Sequence, residues 1–177
     1  KGLGGGYQSI GAVLTTERVY RVFKEGTGLF QHGHTYMGHP TACAAALAVQ
    51  KKIRSKNLLS QVCRRGEELS QRLHQRFAQH TYIGDIRGRG LFQAIELVKD
   101  RTTKEPFDPA LRMHARIKAL AMENGLICYP SGGTVDGVSG DHVLLAPPFI
   151  VELDHLDELV EKLGFAIDGA FVQAGVV

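Results

Sequence analysis

The chain has 177 residues, 44% hydrophobic and 22% charged, enough to bury a sizeable core and unlike a disordered or fibrous polypeptide. A net charge of +3, with the lysines and arginines dispersed along the chain, leaves no electrostatic footprint for nucleic acid. Cys43, Cys63 and Cys128 stand apart with no CxxC pair, and no apolar run approaches the roughly twenty residues that span a bilayer, which argues against a disulfide scaffold, a zinc module and a membrane protein.

The opening residues KGLGGGYQ have neither the charged start nor the apolar centre of a signal peptide. With no initiator Met ahead of this glycine-rich turn, the chain reads as a fragment, and any targeting segment would lie upstream. The unpaired cysteines point to a reducing, cytoplasmic location.

Residues 10–16 (IGAVLTT) are short, apolar and β-tolerant, and predict a buried strand. A short helix follows over about 17–24. Residues 25–39 hold four glycines and three histidines without apolar periodicity, so an irregular, function-bearing segment is expected. Pro40 sits at a first helical position before the alanine-rich run TACAAALAVQKKI, a strong helix former.

After a break at 55–57, Leu58, Val62, Leu69, Leu73 and Phe77 mark one face of a long helix ending near Gln79. Two short strands are expected within IGDIRGRGLFQAIELV, then a helix over about 109–124 stopped by Gly125. A strand at 126–129, a glycine-rich loop at 131–140, a strand at 142–145 and an amphipathic helix over about 153–171 complete an α+β unit.

Lys1, ahead of Gly2, Gly4, Gly5 and Gly6, is on its own a solvated lysine beside a flexible turn. KGLGGGYQSIGAVL followed by HGHTYMGHPTACAAALAV changes that reading, because both blocks, in this order and spacing, resemble the class III, or omega, aminotransferases. GDIRGRGLFQAIEL, GLICYP and GDHVLLAPPF extend the resemblance over essentially the whole chain.

The resemblance implies an α/β fold, that of the fold type I pyridoxal-phosphate-dependent transferases. Residues 1–55 would be the end of the large domain, 56–80 a connecting helix and 81–177 a small C-terminal α+β domain. It implies that Lys1 forms the internal aldimine with pyridoxal 5'-phosphate and serves as the catalytic base and acid. Its amine must be displaced by the substrate amine and then stand uncharged beside the substrate Cα.

Thr35 is implied to reach the cofactor phosphate of the other subunit, with His34 beside it, in a homodimer whose sites are shared across the interface. A capped turn is the alternative for Thr35. His32, His34 and His39 could suggest a metal, but no cysteine or carboxylate supports one, so hydrogen bonding within the loop is the expected role and no metal is expected.

Arg87 and Arg89 could clamp a carboxylate or serve the structure, the structural role being favoured, with Asp85 in reach of either. The resemblance breaks in the loop ahead of Pro147 and Pro148. Where many family members carry an arginine for the substrate α-carboxylate, this chain has Gly137, and two residues later Ser139. The implied reaction moves an amino group from an amine or amino-acid donor to an oxo-acid or aldehyde acceptor. Decarboxylases, racemases, aminomutases and lyases share the scaffold and its lysine, and a noncatalytic dimerising homologue is a rival of another class.

Overall fold

A computed structural model describes residues 2–177, and Lys1 lies outside the described residues. The chain divides into two compact units between Leu58 and Leu59. Among the described residues no helix is long and apolar enough to cross a membrane.

The first unit holds two whole helices. Helix α1 (Glu17–Glu25) has an acidic first turn and Lys24 in its last, the arrangement the helix dipole favours, and stops at Gly26. Helix α2 (Pro40–Ser55) starts with proline at its first position and with the imidazole of His39 accepting the Ala42 N–H, which satisfies one of the free amides of the first turn. Asn57, at φ 48°, turns the chain out of α2 within two residues.

The strand expected at 10–16 is absent. Val13 is 97% exposed and Leu14 90% exposed, and no residue of the segment joins a ladder. A strand needs a neighbour for its amides and carbonyls, and the described part of this unit contains no other strand. Apolar composition alone therefore could not fold it.

All but the first residue of α3 (Leu58–Phe77) lies in the second unit, and its Leu69, Leu73 and Phe77 are fully buried at four-residue spacing. Strands β1 (Ile83–Arg89), β2 (Phe92–Leu97), β3 (Tyr129–Gly132) and β4 (Asp141–Leu145) form one antiparallel sheet in the order β1-β2-β4-β3. Helices α4 (Met113–Glu123) and α5 (Leu153–Gln173) complete it. Ile95, Leu97, Val143 and Leu145 from the sheet share one core with Met113 and Ile117 of α4 and with Leu156, Leu163, Ile167 and Phe171 of α5. Alternation leaves Asp85, Arg87, Glu96 and His142 on the opposite, solvated face.

Two boundaries differ from the sequence reading. The helix expected over 109–124 is divided into a 3-10 turn (Pro109–Leu111), Arg112 at φ 48°, and α4. Asp108 accepts the Ala110 N–H at 2.8 Å, so this first turn closes as a separate cap. The strand expected at 126–129 instead starts at Tyr129 and runs into the supposed loop as far as Gly132. Gly132 pairs with Asp141, and a Cβ there would lie 2.8 Å from the His114 ring, so the glycine belongs to the strand for steric reasons.

Candidate functional site

In the first unit the glycine turn that follows Lys1 is fixed to α2. Gln50 Nε2 donates to Leu3 O at 3.0 Å, and the Tyr7 N–H donates to Gly4 O at 3.1 Å. Gly4 is buried, and a Cβ on it would meet both Gln8 O and Ile10 Cγ2 at 3.0 Å. Gly5, at φ 58°, would press a Cβ to 3.3 Å from Val49. Here the glycines do more than confer flexibility, since a Cβ at Gly4 would crowd its neighbours and Gly5 takes a left-handed conformation that side chains disfavour.

The loop between α1 and α2 carries a succession of edge-to-face ring contacts. Phe23 meets Phe30 at 5.2 Å, and Phe30–His32 and His32–His34 follow, each at 6.0 Å. Thr35 sits in a turn closed by Met37 N–H to His34 O at 3.0 Å and His39 N–H to Tyr36 O at 3.1 Å. Among the described residues neither the hydroxyl nor the N–H of Thr35 has a hydrogen-bond partner, and the turn is exposed. No group of three or more histidine, cysteine or carboxylate side chains is placed to hold a metal among those residues.

At about 1.5 Å of rise per residue, Gln50, which holds the glycine turn, is about 15 Å along α2 from Pro40. Thr35 precedes that helix start.

In the second unit Arg87 is paired with two carboxylates. Its guanidinium meets Glu96 at 2.6 Å and Asp85 at 2.7 Å, and these carboxylates, the Glu96 hydrogen bond foremost, push its pKa up. Arg89 forms no ion pair among the described residues.

The β3–β4 loop satisfies its own polar groups. Asp136 Oδ1 accepts the Val138 N–H at 2.9 Å and the Ser139 N–H at 2.6 Å, while the Gly137 N–H donates to Gly133 O at 3.1 Å. These amide hydrogen bonds hold the Asp136 carboxyl below its ordinary pKa. Thr134 Oγ1 and His142 Nδ1 lie 2.6 Å apart at the base of the loop, and partial burial lowers the His142 pKa. Gly137, at φ 89°, and Ser139 offer no cation, and residues 129–146 contain no lysine or arginine.

Sequence reasoning missed Gln50, the Thr134–His142 pair and the His114–Asp141 pair. Gln50 lies 47 residues from Leu3 and His114 27 residues from Asp141, so no local pattern signals either contact.

The chain superposes on solved transaminases. The crystal structure of a transaminase from the marine bacterium Virgibacillus matches with a TM-score of 0.88 and 32% identity, covering 97% of this chain and 38% of that one. The omega transaminase from Pseudomonas jessenii in complex with PMP matches with a TM-score of 0.86 and 32% identity, over 98% and 37%.

In sequence the chain is 45% identical over 167 residues to the uncharacterized aminotransferase C1771.03c of Schizosaccharomyces pombe, covering 94% of this chain and 36% of that protein. It is 36% identical over 170 residues to gamma aminobutyrate transaminase 2 of Solanum lycopersicum, over 94% and 35%. The aminotransferase class-III profile matches residues 1–167. The chain belongs to the class-III aminotransferase family and has the fold of the corresponding part of these fold type I transaminases. It spans about a third of the length of the curated relatives it matches.

Proposed function

We propose that this chain forms part of a pyridoxal-phosphate-dependent aminotransferase that moves an amino group from an amine or amino-acid donor to an oxo-acid or aldehyde acceptor. In this reading residues 1–55 belong to the large cofactor-binding domain, 56–80 connect and 81–177 form the small domain. The observation that supports it is the glycine turn after Lys1, tied to α2 by Gln50 and crowded at Gly4 and Gly5.

The residues present fit the cofactor. Lys1 supplies a primary amine for its aldehyde carbon. The unpaired hydroxyl and N–H of Thr35, with His34 beside it, suit a phosphate dianion. When bound, the cofactor supplies the electron sink for bonds at the substrate Cα. Lys1 would hold it through Nζ in the resting protein. The freed, uncharged Lys1 amine would then be the group that takes a proton from the substrate Cα and gives it up again.

The exposed, unpaired hydrogen-bonding groups of Thr35 suit a homodimer in which Thr35 of one chain serves the cofactor held by Lys1 of the other. With Arg87 committed to Asp85 and Glu96 and no cation in the β3–β4 loop, the reading favours donors without an α-carboxylate, or carboxylate binding by an arginine elsewhere. A reducing, cytoplasmic setting suits three cysteines that form no disulfide.

Borohydride reduction of the complete protein with cofactor, followed by peptide mass spectrometry, tests the assignment. A pyridoxyl-phosphate mass on Lys1 is expected. An unmodified Lys1 would reject the reading in favour of a noncatalytic homologue.

A further inference from the structure

We draw no further inference here: the strongest candidate, the largely apolar groove of about 470 Å³ between the 125–127 turn, the Ala146–Pro148 segment and the first turns of α5, carries nothing because nothing in the structure shows what covers it.

Discussion

Asp141, on β4, caps a helix that starts 28 residues before it. Its Oδ1 accepts the backbone N–H of His114 at 3.0 Å and lies 2.5 Å from His114 Nδ1, while Arg112, the residue ahead of α4, is left-handed and gives no side-chain cap. The carboxylate is 4% exposed, so the first turn of α4 draws its acceptor from the sheet.

Replacing that acceptor leaves the part-buried His114 amide and ring without their partner. Asp141→Ala is expected to destabilise the protein by roughly 1–2 kcal/mol, through the lost cap and the lost hydrogen bond to the partly exposed His114 ring. Asp141→Asn keeps one side-chain oxygen and should cost less. Urea unfolding of the two variants checks both the size and the order, and an Asp141→Ala midpoint equal to wild type would reject the capping role.

At Gly66 backbone packs against backbone. A Cβ on this α3 residue would lie 2.3 Å from the carbonyl carbon of Gly90 in the β1–β2 turn. Intrinsic propensity favours alanine over glycine in a helix by about 1 kcal/mol. Overpacking costs of typically 1–3 kcal/mol oppose it, so Gly66→Ala is expected to lower the melting temperature. A raised melting temperature would show that α3 moves away from the hairpin freely.

In the complete protein, Lys1→Ala is expected to abolish turnover while the circular dichroism spectrum and unfolding midpoint stay unchanged. Thr35→Ala should weaken cofactor retention, measured by dialysis and absorbance, by more than it slows the reaction under saturating cofactor. Near-normal turnover of Lys1→Ala would remove the proposed chemistry.

Cys128 and Cys63 should differ in reactivity. Burial pushes the Cys128 thiol up to about 11, whereas Cys63 is exposed on α3. The thiolate is the nucleophile, so at pH 8 only about one Cys128 in a thousand is ionised, and its alkylation rate should rise about tenfold per pH unit up to pH 10. Iodoacetamide labelling followed by mass spectrometry should find Cys63 modified well before Cys128. Equal rates would contradict the buried setting.

The helices were the most legible elements. Pro40 with its alanine run, and Leu69, Leu73 and Phe77 at four-residue spacing, declare a start and a buried face in local sequence. Residues 10–16 misled because a strand is a relation between segments, and the apolar composition of Val13 and Leu14 names no partner. Gly132 misled for the opposite reason, since its glycine signals a loop while its place is set by an imidazole from another element. Of the site, the resemblance supplied Lys1, Thr35 and His34, whereas the hold of Gln50 on the glycine turn and the use of Arg87 by two carboxylates depend on contacts made only in the folded chain.

The sheet ends in β1 on one side and β3 on the other, and both rims are blunted by the chain itself. Lys104 Nζ donates to Gly84 O at 2.7 Å, and Asp85 Oδ1 accepts the Ile86 N–H at 2.9 Å, so two groups of the β1 edge are occupied by side chains. On β3, Pro130 has no N–H to offer an incoming strand. A newly made chain is thereby a poor template for edge-to-edge stacking with its siblings, the route by which unprotected sheets polymerise.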